Sequence, residues 1–393
     1  MAAVLRSNGI DAEALPVSDR ESLELGRQFT TGKECYPCIL TTGDIIKQTR
    51  QPDFDPERAS FFMAQAHGPC RFGQYHKFHR MVLDELGYQR VPMVVLDQTH
   101  NFSDQVDSFG ATFYRRCWDL LVIVDYMQKM VREIRPYEAN EGETDEVYQR
   151  GLERLVEVAE SEGDYFAAAR EIRRRLQAVR TGGTDARPVI GVVGEIYVRS
   201  NEFANNFLVR KLEGLGAQVM LPTLQEWINY IAHERRALCW QSTQLLSLLK
   251  EWIGELVARW AESRVARIFE GAIQHMPREE PSSRVIELGS RYLDPSVKGE
   301  AILSMGRAVE YARHGLNGVV NVAPFGCMPG ALVNGLLEEF RGEYDGIPVL
   351  KLAFDGVEQT AEDTLLEAFV HQALQHKGSR SAGESPGAAA NTS

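Results

Sequence analysis

Twice in this sequence an apolar run leads into a Gly/Pro loop holding one cysteine, and the loop leads into an amphipathic segment. The first copy starts at Ala59 and reads ASFFMAQA, HGPCRFG, QYHKFHRMVLDELG; the second starts at Gly315 and reads GLNGVVNVAP, FGCMPG, ALVNGLLEEF. The short runs bounded by turn residues have the character of buried strands. In the segment after the first loop, Phe78, Met81, Val82 and Leu86 recur at helical spacing, and Gly87 supplies the stop. Further strands follow each helix, VPMVVLD in the first half and IPVLKLAFDG in the second. Strands alternating with helices predict an α/β fold with parallel sheets. At 393 residues the chain is too long for one small core, so two lobes with a cleft between them, plus long helices, are expected.

The boundaries expected are an N-terminal arm over 1–30, a first lobe with a helical insert over 31–185, a second lobe over 186–378 and a disordered tail over 379–393. The arm is polar and shows little periodicity. CWDLLVIVDYMQKMVREI predicts a long helix, and residues 144–180 predict two charged, solvent-facing helices. RTGGTDARP is the expected linker. PVIGVVGEIYV opens the second lobe as a strand, followed by the helix EFANNFLVRKLEGLG and the strand AQVMLP. Between about Glu234 and Phe269 one amphipathic stretch places Leu245, Leu249, Trp252, Ile253, Leu256 and Trp260 at helical spacing. The Gly/Ser/Ala-rich tail cannot bury enough apolar surface to order itself. A net charge of -12 argues against a nucleic-acid groove, which needs a basic face. No apolar run approaches eighteen residues, and the N-terminus lacks the apolar core of a signal peptide, so a cytoplasmic protein without a membrane span is expected. There, six cysteines are more readily thiols or metal ligands than disulfides.

GKECYPC places Cys35 and Cys38 two residues apart across a proline, a spacing shared by redox disulfides, zinc sites and cluster cages. No strand leads into it as in thioredoxin-like folds, and no second CxxC completes a zinc site. Cys70 and Cys327 each lie between a strand and a helix. In open α/β sheets ligands bind beyond the carboxyl ends of strands. A helix N-terminus is also expected to lower a thiol pKa toward the thiolate that metals bind. Four thiolates from three separated loops suit an iron–sulfur cluster, whose rule is cysteine ligation. Cys117 and Cys239, inside helical segments beside Trp118 and Trp240, are expected to be packed thiols, with ligation the lesser reading. His76 and His79 share a helix face, which more often means a solvated face than a metal site. Glu195 and Asn201, in GEIYVRSN beyond a strand end, are expected to line the cysteine cleft; a helix cap is the competing reading for Asn201. GVVGE lacks GxGxxG spacing and no GxxxxGK[ST] occurs, so a phosphate loop is poorly supported.

GKECYPC, GPCRFGQY, RPYE with GETD, GEIYVRSNEFANN, and APFGCMPG followed by PVLKLAFDG together resemble the family related to activators of 2-hydroxyacyl-CoA dehydratases. That family is similar to the cluster-bearing subunits of 2-hydroxyacyl-CoA dehydratases and benzoyl-CoA reductases, and to double-cubane cluster proteins. The resemblance spans about residues 20–376. It implies two Rossmann-like lobes around an oxygen-sensitive iron–sulfur cluster, most simply [4Fe-4S], in anaerobic metabolism. It also implies a separate ATP-hydrolysing activator of the sugar kinase/actin-like fold as electron donor, and a CoA thioester or other small substrate. Cys35, Cys38, Cys70 and Cys327 match the motif cysteines. Dehydratase subunits commonly use three cysteines and leave one iron open, so four suggest a closed electron-transfer cluster. Six cysteines would suffice for a double-cubane cluster if Cys117 and Cys239 turned inward. No activator domain is present, so ATP binding is not carried over. The expected role is the electron-accepting or substrate-reducing component of an ATP-dependent reductase or dehydratase-like system. The alternative is a two-lobed small-ligand or nucleotide-binding protein with structural or zinc-bound cysteines. A homodimer or heterodimer is compatible with either.

Overall fold

Two runs of β-branched residues, VIGVVG and GVVNVAP, lie at the centre of the larger sheet, buried on both faces along their whole length. Near-continuous apolar character of this kind belongs to a parallel sheet covered on both sides. The computed structural model describes residues 1–66, 68–97, 105–106, 108–110, 112–182, 187–357 and 361–383. Within them, β1 (Phe61–Gln65) and β2 (Met93–Asp97) form one parallel pair. The strands β3 (Val189–Gly194), β4 (Gln218–Met220), β5 (Gly318–Pro324) and β6 (Val349–Phe354) form a second parallel sheet in the order β4-β3-β5-β6. The protein is thus mixed α/β with two small parallel sheets and many helices.

Strand order matters for function. From β3 the chain moves outward to β4, then returns to the other side of β3 as β5. The β3/β5 boundary is therefore a topological switch point, where loops diverge and leave a crevice beyond the strand ends. One face of the sheet packs Ile190, Val192, Val320 and Leu352 against Leu208, Leu212, Leu366 and Phe369. The other packs Val193 and Val319 against Met305, Val309, Leu337 and Phe340.

A separate helical core joins the helices Phe113–Ile134, Glu143–Glu160 and Tyr165–Gln177 to the end of Leu245–Ile268, through Val122, Tyr126, Phe166, Ile172, Val265 and Phe269. The helical insert expected in the first half therefore draws on both halves. The two helices over 143–177 are also less solvent-facing than expected, since Leu155, Phe166, Ile172 and Leu176 are buried. Of the expected linker, residues 183–186 lie outside the described residues.

Three further segments differ from the sequence reading. Residues 1–30, expected to be an arm, contain the helices Ala2–Ser7 and Arg20–Gln28. Val4 and Leu5 pack against Phe113 and Ala159, and Leu23 joins the core of the four-stranded sheet. Too few apolar positions occur there to give a period, and their partners are remote in sequence. The stretch 234–269 is a hairpin of the helices Leu224–Gln241 and Leu245–Ile268, broken where Thr243 takes φ 54°. Finally, the helix Glu362–Gly383 runs into the expected tail, so residues 379–383 are helical; residues 384–393 lie outside the described residues.

The helix Tyr36–Thr49 touches both sheets. Tyr36, Ile39 and Leu40 join the four-stranded sheet's core, while Ile45 packs with Phe61 and Leu83 beside β1. The helix is held close to Arg20–Gln28 by two glycines. A Cβ on Gly43 would run into the Ser22 carbonyl, and one on Gly26 into the Ile39 carbonyl. Both obstacles are backbone and cannot rotate away. Gly43→Ala is therefore expected to destabilise the fold by about 1–3 kcal/mol or more, as overpacking does, read as a lowered urea midpoint at unchanged slope.

Candidate functional site

Cys35 is the N-cap residue of the helix Tyr36–Thr49, and Cys327 that of the helix Met328–Glu343. Each is followed two residues later by a first-turn proline, Pro37 or Pro329, a position where the missing N–H has no helical partner to lose. Cys70 stands in the same way before the short 3-10 turn Arg71–Gln74. Three cysteines on three loops thus occupy one kind of position. Cys38 lies one turn into the first helix; the equivalent place in the second is Gly330, where a Cβ would run into Ala323 of β5. Packing against the sheet leaves no room for a fifth thiol there.

These loops meet. Arg71, next to Cys70, donates to the Lys33 carbonyl at 2.7 Å and to the Gly326 carbonyl at 3.4 Å, bridging the CYPC loop and the loop after β5. Cys35, Cys38 and Cys327 are buried, Cys70 half-buried. Cys35 and Cys38 pack with Tyr75, whose hydroxyl approaches the Cys35 sulfur. Each of the other three thiols is close enough to another to disfavour its ionisation: Cys38 to Cys35, Cys70 to Cys327, and Cys327 to Cys35.

The expected lowering of thiol pKa values does not occur. Burial pushes Cys38 and Cys70 up to about 12 and Cys327 up to about 11. The Thr42 hydroxyl and the N–H groups of Phe72 and Gly330 act in the opposite direction and are outweighed. Desolvation of a thiolate costs more than a helix terminus returns. In the bare chain these three thiols keep their protons at neutral pH.

Glu195 lies directly beyond β3, at the switch point, and its N–H donates to the Val322 carbonyl of β5 at 2.9 Å. Its carboxylate accepts the Val198 N–H at 2.8 Å. Glu300, first residue of the helix Glu300–Arg313, accepts the Ile196 N–H at 2.7 Å. Both carboxylates face Cys70 and Cys327 and disfavour their ionisation. Burial raises both carboxyl pKa values, and Glu195 raises that of Glu300 further, against the pull of the buried Arg199. Two such carboxyls, side by side and buried, cannot both ionise cheaply.

Asn201 Oδ1 accepts the Ala204 N–H at 3.0 Å and so closes the turn that follows it, ahead of the helix that starts at Leu208. Cys117 packs with the N-terminal helix cluster, and Cys239 on Leu224–Gln241 lies near Arg235 and Glu251; burial raises both thiols. His79 sits behind the CYPC turn, its Nε2 3.1 Å from the Thr41 hydroxyl, and burial pushes its pKa down to about 4. Burial lowers that of His76 as well. Both imidazoles are thus neutral at pH 7. Sequence reasoning missed Tyr75, Arg71 and Glu300. The first two stand inside the quoted GPCRFGQY segment; Glu300 follows SVKG and carries no motif.

Among the described residues no three His, Cys, Asp or Glu side chains close around one point as a single metal ion requires. Nor is any helix there long and apolar enough to cross a membrane. No protein-family model matches this sequence, and no curated protein does.

The raised carboxyls have a pH consequence. A carboxyl held above its ordinary 4.5 binds its proton more tightly folded than unfolded, so its stabilising share is complete at low pH and is lost as pH climbs through the raised value. Glu300→Gln keeps an acceptor for Ile196 but cannot ionise. As pH rises above the ordinary carboxyl range the wild type should lose stability that this variant retains, by up to ~1.4 kcal/mol per pH unit while one proton leaves. Urea titrations across a pH series measure it, and equal pH dependence of the two proteins would count against the pair.

Proposed function

We propose that the chain is an iron–sulfur protein whose cluster is held by Cys35, Cys38, Cys70 and Cys327. The observation that carries this reading is the meeting of three loops, each presenting a cysteine before a helical turn, at the switch point of the larger sheet. The donor set suits the group: four free cysteines, the residue type whose thiolates ligate such clusters. When bound, such a cluster supplies one-electron transfer.

The chain's own residues do the rest in this reading. The N–H groups of Phe72 and Gly330 face sulfur and favour its charged form. Aromatic and aliphatic neighbours, Tyr75, Phe72, Met63 and Phe78, keep water from the CYPC side. Glu195 and Glu300, whose carboxyl pKa values burial raises, stand beside the thiols, where a reduction that takes up protons would draw on them. The two sheets are taken as two Rossmann-like lobes closing on this cleft. Following the family resemblance, we infer a cytoplasmic electron-accepting or substrate-reducing component of a 2-hydroxyacyl-CoA dehydratase or reductase-like system. A separate ATP-hydrolysing activator would supply its electrons.

Anaerobic purification with iron and sulfide analysis and EPR tests the reading. Wild type should contain about four irons per chain, the content of one cubane, with matching sulfide. Cys327→Ser and Cys35→Ser should each lower iron or change the EPR signal, whereas Cys239→Ser should do neither. Zinc without sulfide, or full iron in Cys327→Ser with loss in Cys239→Ser, would refute the assignment.

A further inference from the structure

The helix Leu245–Ile268 carries more apolar surface than the rest of the chain covers. Its apolar residues are spread around the axis among charged ones and are not confined to the side that the rest of the chain covers. One side is enclosed. Ala261, Val265, Ala266 and Ile268 are buried in the helical core. Glu251 and Glu255 pair with Arg235 at 3.1 Å and Arg236 at 2.7 Å on the preceding helix of the hairpin.

The other side is bare. Leu246, Leu249, Ile253, Leu256 and Trp260 are between 53% and 80% exposed. Successive members are three, four, three and four residues apart, the a/d repeat of a coiled-coil seam. Leu245, Trp252 and Val257 flank that seam and are exposed as well. At about 100 Å² apiece these eight side chains offer roughly 800 Å², the area each partner contributes to an interface of standard size. That exceeds the ~300–600 Å² of the largest patch on a typical monomer.

We propose that this seam docks a second copy of the chain, hairpin against hairpin about a two-fold axis. A 3.5-residue repeat asks for another helix with the same repeat, since each knob needs a hole of four side chains opposite. An identical seam provides it, and a two-fold axis makes the contact closed and self-complementary. The chain carries -12 overall, but Glu251 and Glu255 lie on the enclosed side, paired with Arg235 and Arg236, so neither carboxylate stands on the seam. No segment outside the described residues has the composition to cover the face. The longest, 384–393, reads ESPGAAANTS and holds no Leu, Ile, Met or aromatic residue; 98–104 reads QTHNFSD, with a single Phe.

The test uses the full chain in sedimentation velocity and light scattering from about 1 to about 100 µM, a range that brackets moderate dimer affinities. The wild type should show twice the 44.2 kDa of one chain. Leu249→Glu with Ile253→Glu should return the mass to one chain and weaken association at least 100-fold. Its circular dichroism should match the wild type, because these side chains touch little in a single copy. If the double variant fails to fold, hydrogen exchange on the wild type decides, since amide protection over 245–260 must rise with protein concentration. A wild type monomeric throughout, a double variant that stays dimeric, or concentration-independent exchange would overturn the proposal. So would a monomer that binds phosphatidylserine vesicles through this seam.

Discussion

The helix Tyr36–Thr49 is the constraint on which the remaining arrangement depends. Its first turn is part of one sheet's core and its last turns are part of the other's. The two glycine contacts with Arg20–Gln28 hold it at backbone distance from that neighbour, and Lys47 ties the pair further through Asp19. A helix packed on both flanks cannot tilt or slide without opening a core. Because Cys35 and Cys38 are at its start, their position relative to the β5 loop follows from packing that lies entirely outside the thiol site.

A second anchor is ionic. Arg307 is fully buried and pairs with Glu226, Glu279 at 2.6 Å and Glu310 at 2.6 Å, and Lys129 pairs with Glu279. Burial alone would raise the Glu279 pKa; Lys129 and Arg307 reverse this and hold it at about 2. These residues come from Phe113–Ile134, Leu224–Gln241, Glu300–Arg313 and the loop before Pro281, so the network joins the helical unit to the sheet unit. Such a network contributes little net stability after desolvation, but it penalises every arrangement that leaves one of its charges alone. It specifies how Glu300, at the head of the same helix as Arg307, is presented to the cysteines.

The candidate site combines an ordinary α/β device with an unusual content. Ligands gather at a switch point because neighbouring loops part there. Here the loops carry cysteines and the carboxyls of Glu195 and Glu300, with Arg71 bridging two of the loops and Arg199 beside the carboxyls. Burial opposes ionisation of Cys38, Cys70, Cys327, Glu195 and Glu300, and so favours their protonated forms in the folded chain. A metal group that requires thiolates would have to displace those protons on entry, which couples occupancy of the site to the closure of the three loops around it.

Much of the local structure was legible in the chain itself. Runs such as VIGVVG and GVVNVAP are strands wherever they are buried, and Gly/Pro loops after them end strands for steric reasons that need no partner. Because those signals are local, Cys70 and Cys327 could be placed between strand and helix, and parallel sheets expected. Helix 113–134 was likewise visible in its own residues. What sequence could not decide was contact at a distance. The N-terminal residues looked like an arm because Val4, Leu5 and Leu23 have no local partners. Glu300 acquires its role only when Ile196 and Glu195 arrive beside it. The thiol pKa values moved up, against the helix-terminus expectation, because burial is a property of the assembled loops. The outward face of Leu245–Ile268 shows the same division: its repeat is written in the sequence, but which side of it the chain itself would cover depended on where the other helices packed.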